Sequence, residues 1–215
     1  MKARFASVVL DADSTLAGLE GVDWIAARRS PDVAAECAAL TERAMEGVVP
    51  IDDVYVTRLM RIRPTVAELQ LLAQAYVRAV APGASACLAA LRAAHVRIVM
   101  VSGGFRDALL PLAALVGIEA HDVHAVKLRF NDRGEYAGLD GDRILTTQDG
   151  KSRVVRRLAL RAPVLAVGDG ATDAALKPDV AAFAAFTGFV RRAPVVAAAD
   201  HVLASFDELR ALVLA

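Results

Sequence analysis

The sequence predicts an α/β fold with a mostly parallel sheet and a helical insertion after the first strand. Two observations predict it. Short apolar runs typical of buried strands alternate with segments of helical periodicity, and this alternation favours right-handed crossovers between parallel strands. The stretch 18–81 breaks the alternation, because it contains only helix-period segments and lacks a convincing strand pattern.

Four apolar runs are predicted to form the sheet, and they cover residues 4–10, 96–101, 163–167 and 180–183. Helical periodicity predicts the helices between them at residues 85–94, 105–116 and 152–160. Within the insertion it predicts helices at residues 22–29, 32–46, 52–62 and 66–80. An alternating stretch around residues 131–134, Asn-Asp-Arg-Gly, predicts a hairpin. We therefore expect a core of residues 1–16 and 80–215 and a helical domain of residues 17–79.

Composition narrows the function classes. The 215 residues carry 25 Lys and Arg against 25 Asp and Glu, so nothing favours binding to nucleic acid or to an anionic membrane. No apolar stretch approaches the roughly 18 residues of a membrane helix, and the N-terminus has no signal-peptide layout. The two cysteines, Cys37 and Cys87, lie in helical patterns without metal-type spacing. We expect a cytoplasmic protein with buried, reduced thiols.

The carboxyl ends of three predicted strands carry polar residues of the types that bind metal ions and phosphate groups. They are Asp11 and Asp13 after the first strand, Ser102, Gly103 and Gly104 after the second, and Asp169, Thr172 and Asp173 after the third. Taken alone, each group is also typical of a turn or a helix N-cap. Parallel sheets, however, bind ligands at this edge. Carboxylates suit Mg²⁺, while glycine amides and Lys151 suit a phosphate group.

These motifs resemble, in order and spacing, the four motifs of the haloacid dehalogenase superfamily. Within it, the chain resembles the phosphoserine phosphatase family over nearly its whole length. The stretches that carry the resemblance are "DADSTL", "EGVDWIA", "TERAMEGVVP", "VSGGFR", "NDRGEYAG" and "GDGATD". The resemblance implies a Rossmann-like three-layer core with a parallel sheet, and a small helical-bundle cap inserted after the first strand.

The resemblance implies a magnesium-dependent phosphomonoester hydrolase. The reaction would convert O-phosphoserine and water to serine and phosphate through an aspartyl-phosphate, as the last step of serine biosynthesis. One alternative is a phosphatase or phosphotransferase acting on another small phosphorylated metabolite. A signalling receiver domain is a poorer alternative, because receivers place the acceptor aspartate after a middle strand and have no cap.

The resemblance also implies the role of each site residue. Asp11 would be the nucleophile and Asp13 the general acid and base. Mg²⁺ would be held by the Asp11 and Asp169 side chains and the Asp13 carbonyl, with Asp173 close by. The expected phosphate ligands are Ser102, Gly103 and Lys151. In the cap, Glu20 would receive the substrate ammonium and Arg58 its carboxylate, and the remaining substrate contacts would be Met45, Gly104 and Thr172.

Two departures from the family pattern concern the substrate rather than the reaction type. Ile51 stands where the family usually has Phe after "VP", so the apolar cover of the site is expected to differ. The stretch 184–192, "AAFTGFVRR", lacks the Gly-Gly-Asn that often precedes the family's arginine.

Overall fold

The computed structural model describes residues 3–214, apart from the side chain of Asp53. Within that range the strands are β1 (Ser7–Leu10), β2 (Arg97–Phe105), β3 (Val123–Val126), β4 (Leu128–Phe130), β5 (Tyr136–Leu139), β6 (Val164–Gly168), β7 (Ala182–Phe186) and β8 (His201–Leu203). The helices are α1 (Gly21–Ala26), α2 (Pro31–Met45), α3 (Ile51–Ile62), α4 (Val66–Arg78), α5 (Ala84–Ala93), α6 (Arg106–Leu115), α7 (Gly150–Arg157), α8 (Ala171–Ala174), α9 (Ala193–Ala198) and α10 (Phe206–Val213).

Six of these strands form one parallel sheet in the order β3-β2-β1-β6-β7-β8. Strand β1 is central, and Val8 is in register with Ile98 on one side and Leu165 on the other. The chain runs outward from β1 to β3 and then returns to β6 on the opposite side of β1. Such a reversal of strand order opens a crevice at the carboxyl ends of β1 and β6.

Helices cover both faces of the sheet, so the fold has three layers. Side chains alternate along β1: Val8 and Leu10 join a large apolar cluster with α5, α6 and α10, whereas Val9 joins a second cluster with α7 and α9. Strands buried on both faces explain the continuous apolar runs in the sequence. The predicted α/β class with a parallel core is confirmed.

Helices α1–α4 form one segment between β1 and α5, which we call the helical segment (residues 17–79). Local signals set its helix boundaries. The Ser30 side chain accepts a hydrogen bond from the amide of Val33 at the start of α2. Thr65 and Glu68 form a capping box at the start of α4. These four helices match the predicted ones in number and place.

The structure differs from the predictions where elements are short. Strands β3 and β8 were not predicted, because β8 has only three residues and β3 merges in sequence with the predicted hairpin. The hairpin itself is present as the antiparallel pair β4–β5. Strand β2 extends beyond its apolar run through two glycines to Phe105. The helices α8, α9 and α10 were also not predicted. Helices α8 and α9 have six residues or fewer, which is too short to show a helical period.

Both cysteines are buried free thiols, as predicted. Across residues 3–214, no helix combines the length and the apolar character that crossing a membrane would require.

Two leucines, one on the buried face of a helix and one on an exposed face, test which residues form the core. Leu88 on α5 is fully buried, whereas Leu71 on α4 is 47% exposed. Leu88→Ala leaves a cavity, so we expect the free energy of unfolding to fall by about 2–5 kcal/mol. Leu71→Ala is the matched control and should change it by about 0.5 kcal/mol. Denaturant titration measures both, and equal losses would contradict the assignment of the core.

Candidate active site

A tight turn after β1 presents the first two aspartates. The carbonyl of Ala12 accepts hydrogen bonds from the amides of Leu16 at 2.9 Å and Ala17 at 3.0 Å, which wraps the chain around it. Ser14 adopts a positive φ of 50° in this turn, a conformation uncommon outside glycine. As a result Asp11 and Asp13 both face one cavity at the carboxyl edge of the sheet.

This cavity, of about 50 Å³, lies between the strand ends and the helical segment. It brings together most of the predicted site residues: Asp11, Asp13, Glu20, Met45, Arg58, Ser102, Gly103, Lys151, Asp169 and Thr172. Gly104 and Asp173 lie directly behind the wall, in contact with Ser102 and Lys151 respectively. Ile51, the residue noted for its departure from the family pattern, is also in the lining.

Three buried carboxylates lie close together, and one lysine contacts two of them. Oxygen atoms of Asp11, Asp169 and Asp173 all lie within 4.8 Å of one another. The Lys151 ammonium lies 2.9 Å from Asp11 Oδ1 and 2.6 Å from Asp173 Oδ1. Asp173 was expected to lie beside the metal, and its carboxylate belongs to the same cluster of oxygens. The cluster thus has more acid than its lysine can neutralise.

The excess of buried acids over cations is reflected in raised pKa values of the aspartates in and beside the cluster. Burial, followed by the charge of Asp11, raises the pKa of Asp13 to about 7 and that of Asp173 to about 8. Burial and then Glu20 raise the pKa of Asp169 to about 7. For Lys151, burial favours the neutral amine, but the neighbouring carboxylates outweigh it and raise its pKa. Buried acids whose ionisation is opposed in this way are typical of functional sites.

The donor set fits a divalent metal ion. Its members are carboxylates, which are hard oxygen ligands, and all three are buried. Burial and then the repulsion of neighbouring acids raise the pKa values of Asp169 and Asp173, and a bound cation would relieve that repulsion. Asp169 is further oriented by Thr15, whose hydroxyl donates to its Oδ1 at 3.0 Å.

The end of β2 contributes a loop of small residues. Ser102 is fully buried, and its Oγ accepts a hydrogen bond from the amide of Gly104 at 3.0 Å. Tyr55, from α3, donates its hydroxyl to the carbonyl of Gly103 at 2.7 Å. This hydrogen bond therefore joins the helical segment directly to the loop.

The helical segment contributes one acid and one arginine to the lining of the cavity, Glu20 and Arg58. Ser14 donates to Glu20 Oε1 at 2.7 Å, and burial followed by the charge of Asp13 raises the Glu20 pKa to about 8. Arg58 donates to the hydroxyl of Thr41, which in turn donates to Asp23 at 2.8 Å. Arg58 Nε is buried without a partner among the described residues. Glu20 and Arg58 together can accept one group of each charge.

Sequence reasoning missed two residues that contact the site. Arg192 is buried and forms an ion pair with Asp169, while its other nitrogen lies 3.2 Å from Glu42 on α2. The sequence analysis noted the family's arginine at the end of the stretch 184–192 but gave Arg192 no role in the site, because a doublet of arginines is typical of a surface. Tyr76, on α4, donates its hydroxyl to Asp13 Oδ1. Its position on the apolar face of α4 predicts only a core residue.

Comparison with known proteins shows which family the chain belongs to. The family model of haloacid dehalogenase-like hydrolases matches residues 8–176. A phosphoserine phosphatase of Mus musculus is 34% identical over 206 residues, covering 94% of this chain and 91% of the relative. The phosphoserine phosphatase of Halobacterium salinarum is 35% identical over 208 residues and covers 94% of each chain.

Solved structures show the same fold. A phosphoserine phosphohydrolase-like protein from Francisella tularensis has a TM-score of 0.89 at 24% identity, covering 99% of both chains. A substrate-bound phosphoserine phosphatase has a TM-score of 0.81 at 21% identity, again over 99% of both chains. Together with the match of the family model over most of the sequence, these likenesses show that the chain belongs to the haloacid dehalogenase-like hydrolase family.

Proposed function

We propose that this protein is a magnesium-dependent phosphatase that hydrolyses O-phosphoserine to serine and phosphate, the last step of serine biosynthesis. One observation carries the proposal: a single cavity is lined by acids, Lys151 and the loop of Ser102 and Gly103, and also by Glu20 and Arg58. The first group of residues suits a phosphate ester, and the second suits the charged groups of an amino acid. Relatives named phosphoserine phosphatase along 94% of the chain support the same substrate.

In the first step Asp11 attacks phosphorus, an Asp11–phosphorus bond forms, and the bond between phosphorus and the serine oxygen breaks. A covalent intermediate of this kind divides one difficult step into two easier ones. Ser102, the Gly103 amide and Lys151 hold the phosphoryl oxygens. When bound, Mg²⁺ neutralises charge on the phosphate so that an anionic nucleophile can approach. Asp11, Asp169 and the Asp13 carbonyl are the proposed ligands.

Asp13 moves the protons. Its carboxyl group gives a proton to the departing serine oxygen in the first step. In the second step the resulting carboxylate takes a proton from water as the water oxygen attacks phosphorus and the bond to Asp11 breaks. Phosphate leaves, and Asp13 again carries its proton. The position of Asp13 on the cavity wall, two residues from Asp11, supports both roles.

The helical segment acts in this proposal as a cap that selects the substrate. Glu20 pairs with the substrate ammonium and Arg58 with its carboxylate, for which a planar guanidinium is well suited. The unpartnered Nε of Arg58 supports this role, because a buried donor without a partner is costly unless a ligand completes it. Ile51 and Met45 supply apolar cover.

Phosphate release tests the substrate and the metal together. We expect the protein to release phosphate from O-phosphoserine in the presence of Mg²⁺, faster than from sugar phosphates. Exhaustive chelation should abolish turnover and added Mg²⁺ should restore it, because the buried acids otherwise repel the phosphate. Full activity in the chelated sample would contradict the metal requirement, and a preferred sugar phosphate would contradict the substrate.

Asp11→Asn tests the covalent step. The amide keeps the shape of the side chain but is not a nucleophile, so we expect no measurable turnover. Asp13→Asn should slow the reaction by about 10²–10⁴-fold, the usual contribution of general acid–base catalysis. Beryllium fluoride, a mimic of the phosphoryl group, should be found on Asp11 and not on Asp13 in a crystal structure. Wild-type turnover by Asp11→Asn would refute the mechanism.

Arg58→Ala tests recognition of the amino acid. Losing one partner of a desolvated charge pair costs about 2–5 kcal/mol, so kcat/KM for phosphoserine should fall by about 30-fold or more. Hydrolysis of p-nitrophenyl phosphate, which has no carboxylate, should fall far less. Arg61→Ala is the matched control, since Arg61 lies exposed on the same helix. Equal losses on both substrates would indicate a folding defect or a different substrate.

A further inference from the structure

Tyr76 contacts the proposed acid–base residue from outside the cavity. Its side chain is fully buried, and its hydroxyl donates to Asp13 Oδ1. Within the described part of the chain, the wall of the cavity is made by other residues. Tyr76 therefore reaches Asp13 from behind and does not compete with a substrate for space.

The hydroxyl of Tyr76 has little freedom to move away from Asp13. It lies against the backbone of Gly21, the first residue of α1, where a Cβ atom would stand only 2.3 Å from the tyrosine oxygen. Glycine at position 21 thus makes room for the hydroxyl and at the same time closes the space around it. The contact joins α4 to the turn after β1 through a rigid aromatic ring with two rotatable bonds.

The second oxygen of Asp13, Oδ2, has other neighbours. A Cβ atom built on Gly104 would lie 3.1 Å from Asp13 Oδ2, 3.1 Å from Leu109 Cδ1 and 3.3 Å from Ser102 Oγ. Oδ2 therefore lies beside Ser102 and Gly104, which belong to the phosphoryl-binding loop of the proposed mechanism. The two oxygens of one carboxylate have different surroundings, because Oδ1 accepts a hydrogen bond from Tyr76 and Oδ2 borders this loop.

We propose that Tyr76 is a positioning residue that fixes the rotamer of Asp13, so that Oδ2 carries the proton in both steps of the reaction. This inference rests on the proposed function, in which Asp13 protonates the serine oxygen and then deprotonates water. Tyr76 keeps its own proton throughout. A small rotation of Asp13 would move Oδ2 away from the serine oxygen, and misplacement by about 1 Å is enough to cost orders of magnitude in rate.

Tyr76→Phe removes only the hydroxyl and keeps the buried ring. We expect kcat for phosphoserine to fall by about 10- to 100-fold, while KM changes by less than about twofold because Tyr76 makes no contact with the substrate. Tyr136→Phe, a tyrosine in the β5 strand of the hairpin, is the matched control and should leave kcat unchanged. Thermal unfolding of the variants shows whether folding is affected. Unchanged kcat in Tyr76→Phe would overturn the inference.

A double-mutant cycle of Tyr76→Phe and Asp13→Asn distinguishes positioning of Asp13 by Tyr76 from a purely structural role of Tyr76. If Tyr76 acts through Asp13, then Tyr76→Phe should cause no further loss of kcat in an Asp13→Asn background. The same fold-loss in both backgrounds would overturn the inference. Wild-type protein that hydrolyses p-nitrophenyl phosphate but not phosphoserine would refute only the proposed substrate. The cycle is then measured on p-nitrophenyl phosphate, since hydrolysis of the aspartyl-phosphate still needs Asp13.

Discussion

The burial of several carboxylates beside few cations is the constraint on which the rest of this structure depends. Ionised acids are costly inside a protein unless they are paired. Here Lys151 serves Asp11 and Asp173, and Arg192 serves Asp169. Because these two cations do not balance the acids around them, the site is left with an affinity for positive charge. In the proposed function, metal binding and catalysis both depend on that imbalance, which the surrounding apolar layers maintain.

The order of the strands in the parallel sheet is enough to bring the acids together. Reversal of the strand order beside β1 puts the ends of β1, β2 and β6 at one crevice, and each end contributes a short polar motif. The helical segment then closes the crevice, with Tyr55 bound to the Gly103 carbonyl and Arg58 turned inward. In the proposed function, the sheet provides the reactive groups, and the helical segment covers the site and provides the groups that distinguish one phosphate ester from another.

Much of this arrangement could be predicted from the sequence, for physical reasons. The strand motifs are local: an aspartate that directly follows a buried parallel strand lies at the carboxyl edge of the sheet, so finding the strand is enough to locate the aspartate. The helices α1–α4 are amphipathic, so periodicity found them. Arg192 and Tyr76 could not be found in this way, because their roles come from contacts across the fold. Arg192 meets Glu42 at a separation of 150 residues and Tyr76 meets Asp13 at a separation of 63, and neither pairing leaves a pattern in its own segment.

The position of Arg192 between two parts of the molecule has a consequence for the timing of turnover. It contacts Asp169 at the end of β6 and Glu42 on α2, so any outward swing of α2 separates it from one of its partners. The cavity holds only about 50 Å³ and α2 contributes Thr41 and Met45 to its lining, so such a swing would widen the route for a ligand. In many enzymes the opening of a lid, and not the bond-breaking step, limits the rate. The strength of one ion pair would then govern how long the product stays inside.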